Sequence, residues 1–241
     1  MGTHKQSETG TTRHLWLALL FMYSMSASPA WANGAFSPST EPDITGRALD
    51  PLTGQLLYLE QHFCTDSGEL CQVYYRDPEG QVFANKTMDY SFSLQAPTLF
   101  FHDLRFDREF ELAPQRLDWV VDSGFDNYVR SQWDPLLAGE TLRFPLKLIS
   151  REEPIKMKAR RQQQGCAEDR VCFEVALNSW LLGKLVDPIA LEYDPMERRL
   201  LRFGGISNIL NAEGRSQVVD IRYQYRGSSS DLAVIPGVGE E

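Results

Sequence analysis

Histidine is scarce in this chain, and the motifs that usually announce catalysis are missing. Of its four histidines only His62 and His102 lie beyond residue 32. There is no G-x-S-x-G, no H-E-x-x-H, no P-loop and no G-x-G-x-x-G, so the signatures of nucleophile-elbow hydrolases, zincins, NTPases and dinucleotide enzymes are all absent. Basic charge is also short. The formal net charge is −9, from 24 Lys and Arg against 33 Asp and Glu, which opposes binding to nucleic acid and tight docking on anionic lipid. No internal repeat recurs at a fixed period. Beyond residue 32 no apolar run approaches the length of a membrane span, so no transmembrane segment is expected in the mature chain.

The one pronounced apolar run lies near the start. Lys5 and Arg13 precede Leu15–Ala27, and Ala30-Trp31-Ala32 places small residues three and one before a cut. This is the form of a secretory signal peptide, too short to span a bilayer comfortably. Cleavage after Ala32 is expected, leaving an exported protein that begins at Asn33. With no Cys at that position, a lipid anchor is not expected.

The four cysteines form two local pairs, Cys64/Cys71 and Cys166/Cys172, each bracketing a polar turn. In an oxidising compartment two hairpin-stapling disulfides are the simplest assignment. The spacings, C-x₆-C and C-x₅-C, do not match the C-x₂₋₄-C of zinc sites, and a redox C-x-x-C is absent.

Period-two alternation dominates the chain from residue 55 onward. Val219, Ile221, Tyr223 and Tyr225 alternate with Asp220, Arg222, Gln224 and Arg226, the clearest strand in the chain. Similar segments run through residues 55–63, 73–75, 81–91, 98–103, 106–112, 117–121, 142–148, 155–160, 173–177, 189–193 and 199–203. Two stretches break the pattern. Phe125, Tyr128, Val129, Trp133, Leu136 and Leu137 fall at helical steps, with Asp122 or Ser123 as a cap and a break near Trp133 imposed by Pro135. Trp180–Val186 reads as a second short helix, apolar nearly all round. The expected fold is mainly β: one curved antiparallel sheet or barrel of about eleven or twelve strands with two short inserted helices. Residues 33–54 are expected to be a flexible lead-in, 55–226 a single domain and 227–241 a disordered tail.

Chemistry is hard to place. Glu60 and His62 share a strand face and Asp103 adjoins His102, so an acid–base or metal pair is conceivable, though structural roles fit single strand histidines better. Glu109 and Glu111 read as a solvated face. Lys86 interrupts an apolar face; snorkelling at a sheet edge is the preferred reading, a polar spot in a cavity the other.

The segments YRDPEGQVFANKTMDYS, FDNYVRSQWDPLLAGE and DPIALEYDPMERRLLRFGGISNI together resemble a family of exported bacterial proteins without assigned activity. That resemblance implies a periplasmic location and carries no functional residues. The element count is also similar to that of periplasmic lipoprotein carriers, whose curved sheet holds acyl chains under helices; fold alone does not fix function. The expectation is a non-catalytic binding protein with no cofactor and no metal. Its cavity would be lined by Phe125, Val129, Trp133, Trp180, Leu185 and Tyr223 and would take a lipid or another apolar small molecule. A structural or assembly partner of an envelope protein complex is the second reading, and an enzyme of unknown class the third.

Overall fold

Across the sheet, Phe110, Phe101, Lys86, Val73, His62, Ile44 and Tyr225 stand opposite one another in a single row spanning seven strands. The computed structural model describes residues 40–113, 118–180 and 186–227. They form thirteen strands: β1 Ile44–Leu49, β2 Leu56–Cys64, β3 Leu70–Arg76, β4 Val82–Asp89, β5 Thr98–Asp103, β6 Arg108–Leu112 and β7 Val120–Val121. After two short helices come β8 Leu142–Lys147, β9 Ile155–Gln162, β10 Val171–Leu177, β11 Ile189–Tyr193, β12 Leu200–Ile206 and β13 Val218–Tyr225. All lie in one curved, unclosed sheet of order β6-β5-β4-β3-β2-β1-β13-β12-β11-β10-β9-β8-β7. Every pairing is antiparallel except β7 with β8.

The expected sheet is therefore present, with one correction at its centre. Residues 44–49, assigned to the flexible lead-in, are β1, which pairs with β2 on one side and β13 on the other. Its inward positions include Gly46 and Ala48, too small to mark an apolar face, so alternation alone does not reveal it. Without β1 the sheet would fall into two halves.

Inward-facing side chains form one continuous core. Tyr58, Val73, Leu99, Phe173, Leu191 and Tyr193 are among the large residues fully buried. The outer face is wet and charged. Arg202 there donates to Glu192 at 2.6 Å and Asp220 at 2.5 Å, a cross-strand ladder over β11, β12 and β13. At β11–β12 the register shifts, so Tyr193 lies opposite Leu200 while Leu191 lies opposite Phe203. This bulge turns Leu200 and Phe203 both inward, although strict alternation would separate them.

The helix read over residues 123–137 is present as α1 (Gly124–Ser131) and α2 (Trp133–Leu137), interrupted at Gln132. Pro135 falls in the first turn of α2, where a missing backbone donor costs nothing. Both helices pack on the concave side. Phe125 meets Phe203, Tyr128 meets Phe144, and Trp133 sits edge-on against Phe173 and Tyr193 at 5.2 and 5.6 Å between centroids. Ser123 occupies the N-cap of α1 but its side chain makes no capping bond, because its hydroxyl is engaged with Asp122 and Lys86. The helix expected over Trp180–Val186 has residues 181–185 outside the described set.

Both cysteine pairs are bonded, Cys64–Cys71 at 2.03 Å and Cys166–Cys172 at 2.05 Å, and no free cysteine remains. Cys64 and Cys71 are register partners at the end of the β2–β3 hairpin. No helix among the described residues is long and apolar enough to cross a membrane.

Candidate functional site

Between α1 and the concave faces of β2–β4 and β12–β13 lies a partly open cavity of ≈ 370 Å³. Apolar side chains such as Met88, Phe125, Leu200, Phe203 and Ile221 make much of its wall. Leu94 and Ile206 line it too and remain 64% and 46% exposed, so its mouth is apolar. The other half of the concave face, under α2, is filled: Val129, Trp133, Phe173 and Tyr193 are packed against one another or their neighbours with almost no exposure.

The polar part of the wall is built from buried residues. Lys86, only 3% exposed, directs its Nζ to Asp122 Oδ1 and to Ser123 Oγ, both at 3.0 Å. Asp122 also accepts from Asn208 Nδ2, at 3.0 and 3.1 Å to its two oxygens, and from the Ser123 hydroxyl at 3.1 Å. Burial alone would raise the Asp122 carboxyl, but the Lys86 charge and the hydrogen bonds from Lys86, Asn208 and Ser123 outweigh it and hold it below its ordinary value. The sheet-edge reading of Lys86 is thus overturned; β4 is the third strand from the edge, and Lys86 is the polar spot in a cavity. The reason lies beyond β4: Asp122 follows β7, at the opposite end of the strand order.

A second cluster sits beside it. Glu60, 8% exposed, accepts a hydrogen bond from the Tyr223 hydroxyl at 3.2 Å, and His62 Nε2 lies 3.5 Å from the same carboxylate. Tyr223 reaches Glu60 by lying over Gly46, their common register neighbour; a Cβ there would come within 2.8 Å of the ring. Desolvation, helped by the Glu60 charge, pushes the hydroxyls of Tyr58, Tyr75 and Tyr223 well above their ordinary value, so they are neutral donors. On α1, Asp126 pairs with Arg130 at 3.0 Å and accepts from Tyr193 at 2.9 Å. Its burial outweighs both partners and raises its carboxyl.

Of the residues expected to line a cavity, Phe125 and Tyr223 do. Val129 and Trp133 instead fill the solid half. Trp180 is 82% exposed and does not line the cavity, because it lies past the end of β10 on the surface rather than on a covered helix face. Leu185 lies outside the described residues. Sequence reasoning missed Asp122, Asn208 and Tyr75 and set Lys86 at an edge, because their inward aim depends on pairings between distant strands. The Glu60/His62 pairing was readable from the shared face. His102 stands on β5, beside the edge strand β6, 3.6 Å from exposed Glu109 and 3.9 Å from exposed Asp107, while Asp103 points inward to Arg105 at 2.7 Å. Among the described residues, no group of three or more His, Cys, Asp or Glu could hold a metal.

Comparison with known protein families, curated proteins and solved structures finds no match to this chain.

Proposed function

We propose that this is an exported, periplasmic binding protein that holds a lipid or another small apolar molecule in the concave cavity of its sheet. The observation that carries this reading is the cavity itself. At ≈ 370 Å³ it exceeds the ~300 Å³ low end of ligand sites, and a well-packed interior would leave no such space. Its apolar wall with a few convergent polar groups matches the composition of such sites. The export signal read over residues 1–32 and the two disulfides support an oxidising compartment. A resemblance to exported bacterial proteins and to curved-sheet carriers points the same way.

The test is native mass spectrometry of the protein purified from its own envelope fraction, followed by organic extraction. A co-purifying lipid at near-stoichiometric amount is the expected result. A protein free of ligand that is retained in a crosslinked envelope complex would instead favour the assembly-partner reading. Intact mass of the exported form is expected to begin at Asn33, and retention of Leu15–Ala27 would refute cleavage.

A further inference from the structure

Besides Arg130, which is ion-paired to Asp126, four polar groups in the cavity wall have hydrogen-bonding capacity that the described residues do not use. The Tyr75 hydroxyl forms no hydrogen bond with the described residues, although Tyr75 is only 4% exposed and lines the cavity. Lys86 uses two of its three N–H donors. His62 Nε2 is buried without a hydrogen-bond partner. Glu60, with about four lone-pair sites, accepts only from Tyr223 among the described residues. Glu60 and Tyr75 are register partners on one face, and Lys86 Nζ stands 5.9 Å from the centre of the Tyr75 ring, so these groups converge. Of the four, His62 Nε2 is the atom closed off from solvent with no hydrogen-bond partner, a state that is costly unless something completes it.

The charges say what would complete them. Lys86 is matched by Asp122, and Arg130 by Asp126. Glu60 has no Lys or Arg partner among the described residues; its only neighbour of that kind is His62. Of the carboxylates in the cavity wall, Glu60 is therefore the one with neither a Lys nor an Arg paired to it among the described residues. A carboxylate or phosphate brought there would meet Glu60 with no unpaired Lys or Arg among the described residues that line the cavity, in a setting where screening by water is weak. An O–H or N–H donor would satisfy Glu60, and a hydroxyl oxygen could also accept from Tyr75.

From this we infer that the ligand is an amphiphile whose head donates hydrogen bonds and carries no negative charge, with its head on Glu60 and Tyr75 and its chain along Phe125, Leu200 and Phe203. The inference rests on the proposed carriage of apolar ligands and adds the head-group class. A hydroxyl head and an ammonium head share this chemistry.

The full chain, stripped of co-purified lipid, is titrated calorimetrically near neutral pH with dodecan-1-ol below its solubility limit and with dodecylamine and sodium dodecanoate below their micelle concentrations. Binding of the alcohol or the amine in clear preference to dodecanoate is expected, and which of the two binds better identifies the head. Tyr75→Phe removes only a hydroxyl without a hydrogen-bond partner among the described residues. It should unfold at the wild-type temperature while binding the alcohol about fivefold more weakly, the effect of one hydrogen bond. Glu60→Gln should narrow the discrimination against dodecanoate. Dodecanoate binding as well as or better than both others, or an unchanged alcohol affinity in a folded Tyr75→Phe protein, overturns the inference and leaves carriage standing. Failure of all three to bind overturns carriage itself.

Discussion

Lys86 and Asp122 stand 3.0 Å apart across the interior, joining β4 near one edge of the strand order to the segment that follows β7 at the other. Their side chains are 4% and 2% exposed. An open sheet has no hydrogen bonds between its first and last strands, so such a contact ties its two ends in place of the ladder that closes a barrel. The backbone adds to it: Val121 N–H donates to Gln95 O, on the loop after β4, at 2.8 Å.

Lys86→Met should therefore be severely destabilising, by roughly 3–5 kcal/mol, because it leaves a buried carboxylate without its cation. The double variant Lys86→Met/Asp122→Leu should recover much of the loss. Urea unfolding of the wild type, Lys86→Met, Asp122→Leu and the double variant measures this, and strict additivity of the two changes would refute the coupling.

Stability should fall in acid through Asp122. Its folded-state carboxyl lies below the ordinary 3.8, so ionisation favours the fold. That contribution is fully present above the unfolded value and is lost as pH drops through the lowered folded one. Asp126, raised by burial, has the opposite sign: its cost is present at neutral pH and disappears as pH falls below its unfolded value. Asp126→Asn should consequently steepen the net loss of stability in acid, as read from urea midpoints across that range.

Gly46→Val is expected to destabilise by about 1–3 kcal/mol, the range for overpacking a tight interior. The added side chain would displace the Tyr223 ring and break its hydrogen bond to Glu60. Thermal unfolding reports the first effect. Loss of ligand affinity beyond that of Tyr223→Phe would report the displacement of the ring.

Opening Cys64–Cys71 by a paired change to serine should cost about 2–3 kcal/mol in the chain-entropy account of a short loop. Peptide mapping without reduction is expected to recover Cys64 with Cys71 and Cys166 with Cys172; free thiols at any of the four would contradict the assignment.

Trp180→Arg should change stability by no more than about 0.5 kcal/mol, as for surface positions generally. Trp180 is 82% exposed, and nothing in the cavity depends on it. A large loss in the urea midpoint would place it in a buried role.

Much of this protein is determined by sequence alone. Period-two alternation in β4, β10 and β13 needs only local sterics and one buried face, so class, strand positions and the concave aromatic face were readable. The same holds for both disulfides, whose partners are a few residues apart, and for the break between α1 and α2, which Pro135 imposes within its own turn. The tertiary structure alone decided the rest. Gly46 and Ala48 make β1 silent in the pattern, yet pairing on both sides puts it at the centre of the sheet. Leu200 faces inward because of a bulge set by its neighbour. Lys86 and Asp122 are 36 residues apart, and they are brought together by the curvature accumulated over the whole sheet, a sum of strand twists that no local window contains.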